Sequence, residues 1–448
     1  MRQLLISLSF LIQSALLFAQ TAAPSQVLCG NEVFSHLVQT KYPALQQAFE
    51  ATFQEAAQRA RMGGVDDRSA LTIEVVVHVV WKTAAENLPD SVIENQIAVL
   101  NEDFNRLNAD TGSLRPFFKP VAGDAGIRFH LAKIVRRQTS TNFTVNLLGG
   151  SLLTELKKQA TGGSDPWDTQ RYLNIWICNI RPATILGIPL AQILGFAFPP
   201  NGLGHWPDGS SAPSPGEDGV VIDYHVFGRN NPNTLTVPGG TGNLKVRGRT
   251  PTHEVGHYLG LRHIWGDGGL LGANDCKQSD GVDDTPFASA QSNFDCNKTK
   301  NSCTGMDAYY NADAPDLIEN YMDYASEDCM NMFTKGQVAI MRSVLAGPRS
   351  GLVNVVGTQV PASAISARLY PNPSTGAAHL TLTLKEATTL SVQIFDANGQ
   401  RVFDIPAQQH PEGTHHLSLE SQNLPSGVYF VQVQTGSGRI TQKFVRTK

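Results

Sequence analysis

The segment Thr250-Pro251-Thr252-His253-Glu254-Val255-Gly256-His257-Tyr258-Leu259-Gly260-Leu261-Arg262-His263-Ile264-Trp265-Gly266-Asp267 sets three histidines and a glutamate at offsets that suit a metal-bearing helix and turn. His253 and His257 are four residues apart, so on an α-helix they share one face, a turn apart. Two imidazoles so placed can grip one metal ion. Glu254 stands beside the first of them, where its carboxylate reaches a metal-bound water without being a ligand. Gly260 ends the helix, since it takes φ > 0 at little cost, and the turn sends His263 back as a third nitrogen ligand. Three nitrogens plus one open position describe a catalytic zinc site rather than a structural one. Thr250 reads as the N-cap and Pro251 as the first helical residue. A surface helix that merely happens to carry histidines would need neither Gly260 nor His263.

Outward from this helix, 448 residues allow about three domains at roughly 150 residues each. A net charge of −4 points to neither nucleic acid nor an anionic membrane. Residues 1–19 read as a signal peptide, with Arg2 ahead of a mostly apolar run from Leu4 to Phe18 and Ala19 at the cleavage position. Gln13 and Ser14 interrupt that run, which is too short for the roughly 20 apolar residues of a membrane anchor. An exported protein without a membrane span is expected.

Residues 20–68 read as a propeptide. Leu45, Phe49, Phe53 and Ala57 fall at helical spacing, and Met62-Gly-Gly-Val-Asp-Asp67 reads as an exposed joint. Arg61 and Arg68 are the candidate self-cleavage points. Cys29-Gly30 can bring a thiolate to the open zinc position and hold the chain latent; a free or mispaired cysteine is the competing reading. Export also gives meaning to Cys276, Cys296, Cys303 and Cys329, read as two disulfides stapling a loop-rich region. A second zinc site is the alternative, although no Cys-x-x-Cys knuckle spacing is present. Cys178, in an apolar run, reads as a buried thiol.

The catalytic domain is expected over 69–350. Leu71 to Trp81 is β-branched and apolar, a buried strand in which His78 is a packed histidine. Ser91 and Glu94 form a capping box for a helix whose apolar face is Ile93, Ile97, Leu100, Phe104 and Leu107. Gly126–Ala132, Tyr172–Cys178 and Asp218–Asp223 read as further strands. Gly195–Phe198, stopped by Pro199-Pro200, reads as an edge strand along which an extended peptide substrate adds itself. The class is α+β. Ser279-Asp280-Gly-Val-Asp283-Asp284-Thr285-Pro286 gathers oxygen ligands that suit Ca²⁺, or else forms an acidic surface turn. Met322 can pack its thioether under the histidines.

The zinc segment, together with Asn320-Tyr-Met-Asp-Tyr324 and Asp328-Cys-Met-Asn-Met-Phe-Thr-Lys-Gly-Gln337, resembles the pappalysin family of metzincin metallopeptidases over about residues 69–347. The resemblance implies a twisted mixed sheet with a backing helix, a zinc helix and a disulfide-stapled, loop-rich lower part. It implies His253, His257 and His263 as zinc ligands, Glu254 as general base, Met322 as the Met-turn and Tyr324 as a helper for the tetrahedral intermediate. It pairs Cys276 with Cys303 and Cys296 with Cys329. It puts structural calcium at Ser279, Asp280, Asp283 and Thr285. It also implies cleavage before Arg or Lys, with Glu327 in the substrate pocket where members carry an aspartate.

Residues 351–366 read as a linker of small residues. In 367–448, Leu380, Leu382 and Leu384 alternate, as do Val392 and Ile394; Asn398-Gly399 is a hairpin turn and Tyr429–Val433 a strand, giving an antiparallel β-sandwich. Leu369-Tyr-Pro-Asn-Pro373, Ile394-Phe-Asp-Ala-Asn-Gly399 and Leu424-Pro-Ser-Gly-Val-Tyr-Phe430 resemble the sorting domain of type IX secretion cargo, which implies the secretion machinery as a partner. The expected function is a secreted zinc endopeptidase acting on proteins or peptides. The competing class is a non-catalytic surface-binding or adhesion protein that keeps a protease fold.

Overall fold

The computed structural model describes residues 26–31, 43–62, 70–146, 153–185, 188–200, 215–236, 243–266, 276–353, 365–384, 387–396, 401–419, 424–435 and 438–447. The expectations for the signal peptide, the joint after Met62, Arg68, Asp267, most of the linker and Asn398-Gly399 lie outside these residues, as does the side chain of Leu45. The chain divides into two compact units, 1–353 and 354–448.

The first unit is built on a mixed sheet. Its strands are β1 (Gln26–Cys29), β2 (Leu71–Trp81), β3 (Ile127–Gln138), β4 (Phe143–Asn146), β5 (Tyr172–Cys178), β6 (Ile180–Ile185), β7 (Ile188–Ala197) and β8 (Val220–Asp223), in the order β3-β2-β5-β8-β7-β6-β4 with β1 added on β7. β2 pairs in parallel with both β3 and β5, so its valines are buried on both faces. His78 is indeed packed: it is fully buried, stacks on Trp176 and bonds Ser164 and Asn174.

Helix α1 is Pro43–Arg61, with Phe49, Phe53 and Ala57 buried. Helix α2 spans Asp90–Phe104 and packs Ile93, Ile97, Leu100 and Phe104 inward. The Ser91–Glu94 capping box does not form. Pro89 is already extended at the N-cap, its carbonyl takes the Val92 amide, and Ser91 falls inside the first turn. Leu107 is 72% exposed because the chain leaves the helix at Asn105 and turns through Arg106 at φ 49. Helices α3 (Arg249–Tyr258) and α4 (Lys335–Ala346) complete the unit. Strand β7 begins well before Gly195, so the short edge strand read from sequence is the end of a longer one. Disulfides join Cys276 to Cys303 and Cys296 to Cys329 across the loops after α3. Cys178 is a buried thiol, its ionisation pushed well above the usual range by burial.

The second unit holds β9 (Ile365–Tyr370), β10 (Ala378–Leu384), β11 (Thr388–Asp396), β12 (Arg401–His410), β13 (Gly413–Leu419), β14 (Gly427–Thr435) and β15 (Gly438–Arg446). They form two antiparallel sheets, β9-β10-β13 and β12-β11-β14-β15. The alternating Leu380, Leu382 and Leu384 meet Val392, Ile394, Val431, Val433 and Phe444 in one core, which makes the unit a sandwich.

Candidate active site

Helix α3 is buried along nearly its whole length, between the sheet and the segment after Ile318. Its start differs from the sequence reading. Gly248, at φ 79, occupies the N-cap, and Thr250 lies one residue inside the helix. The capping oxygen comes from far along the chain: Glu327 Oε2 accepts from the Arg247 and Arg249 amides, and Oε1 accepts from the Thr250 amide and hydroxyl. A carboxylate there meets the positive end of the helix dipole and satisfies donors that have no partner within the helix. Arg249 forks onto both oxygens of Asp110. Asp103 accepts from Thr252 Oγ1 and Tyr321 Oη, clamping α3 to α2 and to the turn at Met322. Burial pushes the Asp103 carboxyl up to about 6 against the pull of Arg249.

The end of α3 follows the sequence reading. Gly260 takes φ 94 and the chain returns through Leu261 to His263. His253, His257 and His263 converge: Nε2 of His257 lies 3.1 Å from Nε2 of His253 and 3.1 Å from Nε2 of His263. His253 Nδ1 donates to the Tyr321 carbonyl at 2.7 Å and His257 Nδ1 to the Leu261 carbonyl at 2.9 Å. A proton on Nδ1 leaves the lone pair on Nε2, so unshared pairs face one another across 3.1 Å. That arrangement is repulsive by itself and attractive around a cation; nitrogens at about 2.05 Å from a tetrahedral metal stand about 3.3 Å apart. Burial and His263 push His253 down to about 3, which keeps its ring neutral and fit to ligate. The His263 ring is held by Trp265, stacked at 4.4 Å.

Beneath the histidines lies Met322, with no exposed surface. A Cβ on Gly256 would stand 2.5 Å from its sulfur, so the glycine between the two helical histidines is what lets the thioether come so close. Glu254 is 1% exposed, and its Oε2 has no hydrogen-bond partner among the described residues. Burial pushes its carboxyl up to about 8, with a bond to the Cys29 side chain pulling the other way.

Cys29 arrives on β1. That strand runs parallel to β7, with Cys29 opposite Gly195; Ile222 of β8 pairs with the same glycine, so β1 takes the side of β7 that β8 leaves open. Beyond Cys29, Asn31 Oδ1 accepts the Ala197 amide. The edge expected to receive substrate is therefore covered by the chain's own N-terminal segment. The Cys29 sulfur and one ring nitrogen of each histidine all lie within 4.8 Å of one another, the single such group of four among the described residues. The Cys29 amide donates to Tyr324 Oη at 2.9 Å.

A pocket on the Glu254 side of the histidines is lined by Leu244, Val246, Phe294, Asp323, Glu327 and Met330. With both Glu327 oxygens engaged by α3, the carboxylate oxygens left over are Glu254 Oε2 and Asp323 Oδ2, both buried and without a partner among the described residues. On the acidic turn, Asp280 Oδ1 accepts from the Val282 amide and Thr285 Oγ1, while its Oδ2 has no partner among the described residues. Burial pushes Asp280 up to about 8. Asp283 is engaged elsewhere, in a 3.0 Å ion pair with Arg61 of α1, and Ser279 Oγ accepts the Gly281 amide. The Tyr321 carbonyl, the Asp103 clamp and the Glu327 cap were not legible as site features, since each acts across more than 60 residues of chain.

A fold with three convergent histidines over a methionine turn defines a class, the metal-dependent peptidases. Residues 243–346 match the family model described as Pregnancy-associated plasma protein-A, and residues 368–447 match that of the secretion system C-terminal sorting domain. An extracellular metalloprotease of Pyricularia oryzae is 31% identical over 63% of this chain and 78% of its own length; one of Trichophyton verrucosum is 28% identical over 65% and 84%. Among solved structures, Tannerella forsythia mature mirolysin in complex with a cleaved peptide is 36% identical, with a TM-score of 0.52 over 64% of this chain and 96% of that one. A mutant promirolysin from the same organism is 34% identical, with a TM-score of 0.56 over 72% and 96%. The chain belongs to the pappalysin family of metallopeptidases. It is a metalloendopeptidase, secreted by the type IX route. No helix of the described residues is long and apolar enough to cross a membrane. This assignment displaces the non-catalytic adhesion protein weighed from the sequence.

Proposed function

We propose that the protein is made latent and, once residues 20–68 are removed, cuts polypeptides before Arg or Lys with zinc held by His253, His257 and His263. The observation that carries this is the three Nε2 atoms gathered about one point, with Glu254 beside them and Cys29 closing the remaining side. Zinc bound there would lower the pKa of its water toward about 7 and polarise the scissile carbonyl. Glu254 takes a proton from that water and hands it to the leaving amine. Tyr324 Oη donates to the oxygen that gains charge as the carbonyl is attacked. In the latent chain that hydroxyl accepts the Cys29 amide, and departure of β1 releases it.

The leaving amine must lie within reach of Glu254, so the residue after the cut enters the pocket that Glu254 lines. Apolar walls suit the stem of Arg or Lys. The acidic floor suits the cationic end, with Asp323 Oδ2 taking a share of the role assigned to Glu327. A peptide library digested with and without a chelator, and read by mass spectrometry, tests this. Cleavage concentrated before Arg and Lys and abolished by the chelator is expected. Chelator-independent cleavage would refute the metal reading, and an even spread of cut sites would refute the preference.

Calcium on the turn of Ser279, Asp280, Asp283 and Thr285 is the second metal of the reading. A buried carboxylate oxygen with no partner is costly unless it is protonated or meets a cation. Asp280 binds a proton in the calcium-free fold up to about pH 8, whereas the unfolded carboxyl releases it near pH 4. The calcium-free protein therefore loses stability as pH rises from about 4 to 8. Added calcium should raise Tm most at the upper end of that window. In Asp280→Asn both the pH slope and the calcium response should shrink; an unchanged calcium response in that variant would remove Asp280 from the site.

A further inference from the structure

We infer that Arg262 recognises an acidic side chain in the part of the substrate that precedes the scissile bond, and that Glu50 occupies this position in the latent chain. The inference rests on the peptidase reading above.

A second cavity, of about 360 Å³, is lined by His257, whereas the first is lined by His253 and Glu254. His257, Gly260, Arg262 and the Pro199-Pro200 end of β7 form one wall, and α1 forms the other through Phe49, Glu50 and Phe53. Arg262 Nη2 meets Glu50 Oε2 at 2.6 Å, and the Arg262 guanidinium lies 3.8 Å over the Phe53 ring. Both partners belong to the segment that activation removes. The planar guanidinium is left with donors arranged to take a carboxylate in two parallel bonds.

The arginine is held in place by its neighbours. Leu261 on one side gives its carbonyl to His257 Nδ1, and His263 on the other is buried and stacked on Trp265. Asp280 lies close enough to feel the charge of Arg262, and the proposed calcium would offset its carboxylate. Chain direction follows from the chemistry. The residue after the cut lies on the Glu254 side, so an extended peptide reaching past His257 places the residues before the cut against Arg262. At about 3.3 Å per residue, the position falls within a few residues of the scissile bond.

Arg262 is partly exposed, with about a quarter of its side chain open, so the discrimination is modest and salt-sensitive. The test uses the mature enzyme, obtained by letting the full chain activate, and peptides that carry Glu or Gln at each of the three positions before a fixed cut. At one of them kcat/KM should favour Glu over Gln about fivefold at low salt. Raised salt should compress that ratio. Arg262→Ala should bring it to about one, Arg262→Glu should invert it in favour of Gln, and Arg262→Lys should keep part of it. A ratio near one at all three positions in the wild type, or a wild-type ratio persisting in Arg262→Ala, overturns the inference while leaving the peptidase reading intact. No cleavage of any peptide would sink that reading and this inference with it. Because each ratio is measured within one enzyme, a lower yield of active variant does not alter it.

Discussion

Glu254→Ala should lower kcat/KM for peptide hydrolysis by about 10³-fold or more while the purified variant keeps its metal. The carboxylate is nearly sealed from solvent, one oxygen has no partner among the described residues, and it adjoins the three imidazoles without being one of the converging donors. A group so placed gains nothing for the fold from its charge, since burial pushes its carboxyl up to about 8 against the pull of the Cys29 side chain. Its removal should therefore leave stability nearly unchanged and strike proton transfer, an effect of about 10²–10⁴ when a positioned acid–base group is lost. Kinetics on one fluorogenic peptide, with metal content measured on the same sample, make the comparison. A variant with substantial activity, or one that fails because the metal has left, would contradict the assignment of general base.

Cys29→Ala should shorten the lag before the full-length chain becomes active by about tenfold, and active protein should appear before the N-terminal segment is cut. The thiol is the fourth member of the group around the histidines, so its loss frees the position that a water must occupy. The block is not wholly lost with the sulfur. β1 still pairs with β7 through its backbone, the residue-29 amide still reaches Tyr324, and Asn31 still caps Ala197. Faster activation is therefore expected rather than a fully active precursor. Cys178→Ala serves as the control, because that thiol lies in a core cluster apart from the histidines. Time courses of cleavage and activity for the three chains decide it; identical lags for wild type and Cys29→Ala would remove the cysteine from latency.

Much of the site was legible because it is local. His253, Glu254, His257, Gly260 and His263 fall within eleven residues, and helix periodicity plus one positive φ suffice to predict their convergence. Strands β2 and β5 were readable end to end, since β-branched residues buried on both faces leave no competing periodicity. What escaped was long-range. Thr250 looks like an N-cap because its hydroxyl suits one, yet Glu327 supplies four acceptor contacts from 77 to 80 residues away and Gly248 takes the cap. The same fact changes the meaning of Glu327, which sequence assigns to substrate and which the fold also spends on holding α3. Ser91 lost its cap to Pro89 for the opposite, local reason: proline fixed the extended entry two residues earlier. Asp283 also pairs with Arg61 of α1, a contact no local reading contains.

The measurement that tests the central claim most directly is the metal content of the purified mature enzyme beside His263→Ala, by elemental mass spectrometry after dialysis against a weak chelator. About one zinc per chain in the wild type, and far less in the variant, is predicted, because two imidazoles cannot close a site built for three. A wild-type enzyme that hydrolyses peptides with no zinc bound, or a variant that retains it in full, would contradict the account.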